Sequence, residues 1–318
     1  MSRIKDQRST LQFFDSHTHV QFAAFKEDWK EVIERALQND VWLINVGTQK
    51  DTSRRAVEIA NEFKAGVYAT VGLHPIHTEK SYHDPQELGD VQEAKGFTPT
   101  PERGLEAFSP KNADPRLVWG FTSRGEEFDY EYYKNLAQDP KVVAIGECGL
   151  DYYRLEEGDR RKAKSIQEEV FLKHIELAKE VGKSLMIHCR PSKGTDDAYE
   201  DLLSLIPSSL SLVPYKVVHF FVGSLAVTKK LLEAGFYFTF GGVITFVRDY
   251  DEAIKIIPLE RILTETDAPY VTPEPYRGKR NEPVYVVEVV KKLAEIKGVS
   301  YDKMAEAITD NTKKVFKI

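Results

Sequence analysis

Short apolar runs alternate along the chain with longer stretches whose apolar residues recur every three to four positions. The short runs are Leu11–Asp15, Val41–Val46, Val67–Val71, Val142–Ile145, Ser184–Ile187, Tyr215–Val218, Phe236–Phe240 and Arg261–Thr264. They are rich in Val, Ile, Phe and Tyr, most are followed by Gly, His or Asp, and they predict eight strands. The stretches Phe25–Leu37, Thr52–Phe63, Arg160–Val181, Leu225–Ala234 and Pro283–Lys297 predict helices between them. A helix leading into a parallel strand is the βαβ unit. Eight strands over 318 residues predict an α/β fold, a (β/α)8 TIM barrel, with a doubly wound open sheet as the rival. Ser81–Glu127 breaks the rhythm with Gly, Pro and charges, and is expected to be an insertion after the third strand. With no internal repeat and no linker composition, residues 1–318 are expected to form one domain.

Composition narrows the function classes. Formal net charge is 44 − 50 = −6, which argues against a protein that grips duplex nucleic acid through a broad basic surface. It leaves room for a nuclease, because a metal site and a few arginines supply local positive charge. Two cysteines, Cys148 and Cys189, make no disulfide framework, and each abuts a candidate ligand, where packing is the expected role. No apolar run reaches transmembrane length, and the opening MSRIKDQRSTLQFF has no apolar signal-peptide core. A cytoplasmic or nuclear monomer with no membrane association is the expectation.

The candidate chemistry gathers at strand ends. In Asp15-Ser16-His17-Thr18-His19, alternate side chains of an extended segment share a face, so Asp15, His17 and His19 are expected to point together. Glu147 follows the run Val142–Ile145 directly, where a buried carboxylate needs a partner such as a metal. His188 and His219 each end an apolar strand, and Asp267 lies where the last strand delivers a carboxylate. Barrel active sites occupy that end, and imidazole with carboxylate suits Zn²⁺, Mn²⁺ or Mg²⁺. Arg190 follows His188 closely and is a candidate anion contact. Asp151 is expected to cap the following segment, and Glu265 to be a buried partner for an arginine or lysine. His77, His83 and His174 fall outside the scheme. There is no Walker loop, no G-x-G-x-x-G after a strand and no G-x-S-x-G elbow.

Together these segments resemble the TatD family of metal-dependent deoxyribonucleases, within the amidohydrolase superfamily. The likeness runs through DSHTH at Asp15–His19, GLHP at Gly72–Pro75, GECGLDYY at Gly146–Tyr153 and IHCR at Ile187–Arg190. It continues in ETDAPYVTP at Glu265–Pro273, RGKRNEP at Arg277–Pro283 and TDN at Thr309–Asn311. The resemblance implies two divalent ions, Mg²⁺ in function with Zn²⁺ or Mn²⁺ as alternatives. One would be held by His17, His19, Glu147 and Asp267, the other by His188 and His219, with Glu147 bridging. It further implies that His74 contacts the substrate phosphate, that Arg280 and Asn281 lie in a loop near the site, and that Arg190 and Arg280 are substrate contacts. Asp267 and Glu147 become the catalytic pair. The implied reaction is hydrolysis of DNA, single-stranded or with accessible ends, as a 3′-5′ exonuclease. An amide, lactone or small-phosphoester hydrolase, and a non-catalytic nucleic-acid-binding scaffold, are the alternatives. The chain departs from the family at Phe220, where a cysteine often follows the histidine, at Pro191-Ser192, and in the length of the insertion.

Overall fold

The computed structural model describes residues 11–79, 81–83, 121–123, 125–153, 155, 159–205 and 213–318, with 81–83 and 121–123 described in their backbone alone. Eight parallel strands form one sheet in the order β1 (Phe13–Thr18), β2 (Val41–Val46), β3 (Val67–Val71), β6 (Val142–Asp151), β7 (Ser184–Arg190), β8 (Lys216–Val218), β9 (Tyr237–Phe240) and β10 (Ile262–Thr264). The barrel of the hydrophobic pattern is therefore present, and the open sheet is not. Between β3 and β6, β4 (Ser81–His83) and β5 (Phe121–Ser123) pair antiparallel as a separate ribbon. Most of the expected insertion, residues 84–120, lies outside the described residues.

The first and last strands meet through side chains as well as backbone. Ser16 donates to the Thr264 carbonyl (2.6 Å) and Thr264 to that of Phe14 (2.8 Å). Beyond the strand ends, Asp267 N–H donates to His17 O (2.9 Å) and His19 N–H to Ala268 O (2.8 Å). These bonds place the two ends of the sequence motif, DSHTH and ETDAP, side by side.

Strand periodicity divides the apolar residues into two cores. Leu43, Leu185, Ile187, Val218, Phe238 and Ile262 pack outward with helix residues in the larger core. Ile44, Val46, Met186, Val217, Tyr237 and Leu263 fill the barrel interior. Among the described residues, the helix members of that second group are Val315 and Phe316, from α9 (Tyr301–Phe316), which plug the N-terminal end of the barrel. Ser184 donates to Val315 O (2.6 Å), Asn311 to Leu259 O and Ile262 O, and Thr309 to Gln12 O. The TDN segment thus ties α9 to the barrel base.

The predicted helices appear as α1 (Trp29–Gln38), α2 (Lys50–Glu62), α4 (Arg160–Val181), α6 (Leu225–Glu233) and α8 (Val286–Lys297). Absent from the prediction were α3 (Tyr130–Leu136), α5 (Asp197–Leu205), α7 (Asp251–Ile256) and α9. The first three are too short, at seven, nine and six residues, for a 3.6-residue period to declare itself. The N-terminus of α9 is marked by Ser300, whose hydroxyl accepts from Lys303 N–H. Among the described residues no helix is long and apolar enough to cross a membrane.

Candidate metal centre

Two-residue periodicity carries the interior upward from apolar to chemical residues. Two positions beyond the interior residues Met186 and Val217 come His188 and His219, and beyond Leu263 come Glu265 and then Asp267. In β6 the ladder to β7 shifts between Ile145 and Cys148. Gly146 (φ +137°) and Gly149 (φ +138°) make that passage possible. A Cβ on Gly146 would lie 2.2 Å from Met186 O, and one on Gly149 2.1 Å from His188 O. Between them, Glu147 enters the barrel mouth buried.

The two oxygens of Glu147 face two separate groups of side chains. Oε2 lies 3.4 Å from His17 Nε2 and 3.8 Å from His19 Nε2; those nitrogens are 3.1 Å apart, and Asp267 Oδ1 lies 3.8 and 3.4 Å from them. Oε1 lies 2.8 Å from His219 Nε2, 3.0 Å from His188 Nδ1 and 3.2 Å from His74 Nε2. His188 Nδ1 and His219 Nε2 are 3.1 Å apart. Ligands about 2.1 Å from a common ion sit roughly 3 Å from one another. The donor set, imidazole with carboxylate at that spacing, fits a divalent cation.

The other ring nitrogens state which atoms are free to ligate. His19 Nδ1 lies 2.8 Å from the Val46 carbonyl, so its proton sits there and Nε2 presents a lone pair. His188 Nε2 lies 2.9 Å from Asp151 Oδ2, leaving Nδ1 toward Glu147. His74 is the reverse: Nδ1 accepts from Ile76 N–H (3.2 Å), so Nε2 carries the proton and is a donor aimed at Glu147. Burial alone would raise the Glu147 carboxyl, but the histidines around it, His74 first, hold it well below the usual carboxylate range. Burial opposes charge on His188 too, yet Asp151 and Glu147 push it up to about 9, whereas burial and His219 push His17 down to about 3. A cluster so strongly polarised is an expected property of a functional site.

Several expectations change here. Asp15 does not join His17 and His19; it turns to Thr266, accepting from its N–H (2.8 Å) and its hydroxyl, and so braces the turn that carries Asp267 at φ +53°. Asp151 accepts from Tyr153 N–H (3.0 Å), as a cap of the following segment does, and with its other oxygen also orients His188. Glu265 has no arginine or lysine partner among the described residues; it accepts from Phe220 N–H (2.7 Å) and the Thr239 hydroxyl. Arg280 is not brought to the cluster. Its guanidinium grips Asp28 at both carboxylate oxygens (2.8 and 2.6 Å), donates to Ala24 O and lies over the Phe25 ring, because Asp28 and Phe25 come within reach only in the fold. Asn281 bonds Thr266 O and Tyr270 O and is a brace of the same turn. Arg190, at the end of β7, stacks over the half-exposed Tyr153 ring at 4.0 Å. His174, which fell outside the scheme, is buried on α4, donating to Val170 O and accepting from Leu73 N–H beside His74. Burial, with Glu147 beside Cys148 and Asp151 beside Cys189, raises both thiols well above their ordinary range, and neither is a nucleophile at neutral pH.

Barrel and cluster together define a metal-dependent hydrolase. The family model described as TatD related DNase matches residues 14–317. A Bacillus subtilis protein named uncharacterized metal-dependent hydrolase YabD is 34% identical over 308 residues, covering 96% of this chain and 99% of that one. The Escherichia coli protein of the same description, YcfH, is 36% identical over 198 residues, covering 62% and 71%. The crystal structure of YJJV, a TatD homologue from Escherichia coli, superposes with a TM-score of 0.71 at 24% identity, covering 97% of this chain and 99% of that one. The chain belongs to the TatD family.

Proposed function

We propose that this chain is a deoxyribonuclease that hydrolyses phosphodiester bonds with two divalent ions, Mg²⁺ in function, removing nucleotides from the 3′ end of single-stranded or frayed DNA. One observation carries the two-ion part: Glu147 turns one oxygen to each of two groups of histidines. The family match supports the choice of DNA.

In this reading His17, His19 and Asp267 would hold one ion, His188 and His219 would hold the other, and Glu147 would contribute an oxygen to each. When bound, the ions supply Lewis acidity for the phosphoryl oxygen and a lowered pKa for the attacking water. Asp267 is the most open of its group, with a side chain 17% exposed against 0–4% for His17, His19 and Glu147. Burial would raise its carboxyl, but His19 and His17 hold it below the ordinary range, so it stays unprotonated and receives the water's proton. His74 donates its Nε2 proton to a non-bridging phosphate oxygen, and Arg190, fixed on Tyr153, adds positive charge at the mouth.

The test is a purified protein with Mg²⁺ or Mn²⁺ on 5′-labelled single-stranded DNA. A ladder shortening one nucleotide at a time is expected, with Asp267→Asn slower by about 10²–10⁴-fold. Turnover of an amide or lactone with intact DNA would overturn the nuclease assignment.

A further inference from the structure

Two metal-facing histidines have a second ring nitrogen without a visible partner. His19 and His188 are each oriented from behind, by Val46 O and by Asp151. His17 Nδ1 and His219 Nδ1 are buried, and neither makes a hydrogen bond with any described residue. Buried polar groups in folded proteins are almost always bonded, so two orphans in one place call for an acceptor.

Besides Glu147, which both Nε2 atoms face, Glu265 is grouped with both rings. A ring nitrogen of His17, one of His219 and a Glu265 oxygen lie within 4.8 Å of one another. His219 Nδ1 stands 3.8 Å from Glu265 Oε2, and because both Nε2 atoms face Glu147 it is the two Nδ1 atoms that lack a partner. The two rings stack with centroids 3.9 Å apart and planes 14° from parallel, so anything that fixes one constrains the other. Glu265 is fully buried and accepts only from Phe220 N–H and the Thr239 hydroxyl among the described residues. A carboxylate has about four acceptor positions. Two remain, and 3.8 Å suits either a contact that tightens on loading or one buried water with three polar neighbours.

We infer that Glu265 is a positioning residue shared by both halves of the centre: it accepts the Nδ1 protons of His17 and His219, directly or through one buried water, and so turns each Nε2 lone pair inward. This rests on the two-ion reading. Asp151, by contrast, bonds only His188 of the proposed ligands among the described residues. One buried carboxylate behind both pockets ties the two affinities together.

The experiment titrates the metal-free full-length protein with Zn²⁺ against a chromophoric chelator, alongside ¹⁵N NMR of the histidine rings in the Zn²⁺-loaded protein. Glu265→Gln keeps the volume and an acceptor for Phe220. It is expected to weaken both binding steps by about 10–100-fold, whereas Asp151→Asn weakens one. In the wild type, slowly exchanging Nδ1 protons are expected on His17 and His219, shifted in Glu265→Gln. Fewer than two Zn²⁺ bound by the wild type would sink the two-ion reading itself. Two ions bound by the wild type, with Glu265→Gln changing neither step or one step only, would overturn the role of Glu265. If that variant fails to fold, the wild-type spectrum decides: no Nδ1 proton on either ring overturns it.

Discussion

His74 shows how much one hydrogen bond settles. Its Nδ1 accepts from Ile76 N–H, which puts the proton on Nε2 and makes the ring a donor. His74→Ala is therefore expected to lower kcat/KM on DNA by about 10²–10³-fold while bound metal per chain stays at the wild-type value. Loss of an ion in metal analysis of that variant would make His74 a ligand instead. The proposed ligands were readable from residue type and position, because His17, His19, Glu147, His188 and Asp267 each stand at or just past the end of an apolar run. Their supports were not. Asp151 lies 37 positions from His188, and Glu265 lies 46 from His219 and 248 from His17, and no local pattern announces such a pairing.

Among the elements, α4 and α9 make separate contributions. On α4, burial pushes His174 down to about 4 from 6.5, against its bond to Val170 O. The unfolded chain binds that proton below about 6.5 and the folded chain only below about 4. Stability contributed by the neutral ring is thus full above 6.5 and is lost as pH falls toward 4. Between pH 7 and pH 5, His174→Gln is expected to lose less stability than the wild type, by up to about 2 kcal/mol, measured by urea unfolding at both values. Equal losses would mean that His174 does not carry the effect. On α9, Phe316 fills the barrel base, and Phe316→Ala is expected to cost about 3–5 kcal/mol in urea unfolding. Metal affinity should be unchanged in the folded fraction, since the plug lies at the opposite end of the strands from the site. The short helices escaped the sequence pattern because a helix of two turns draws its stability from packing against its neighbours rather than from its own periodicity.

For the molecule as a whole, a net charge of −6 leaves the metal centre, His74 and Arg190 as the phosphate contacts proposed at the mouth. With about two phosphates engaged, KM for single-stranded DNA is expected to rise only about sevenfold between roughly 50 and 200 mM salt. A rise of several hundredfold would require a basic track along the DNA. The sequence by itself determined the eight-strand rhythm and which residues stand at the strand ends, because a period of two residues is a local property of extended backbone. Only the tertiary structure decided that Glu147 divides its oxygens between two groups, that Arg280 is spent on Asp28, and that Asp15 braces Thr266. The physical reason is the same in each case: a buried polar atom takes whichever partner the closed barrel brings within about 3 Å, and that partner lies far away along the chain.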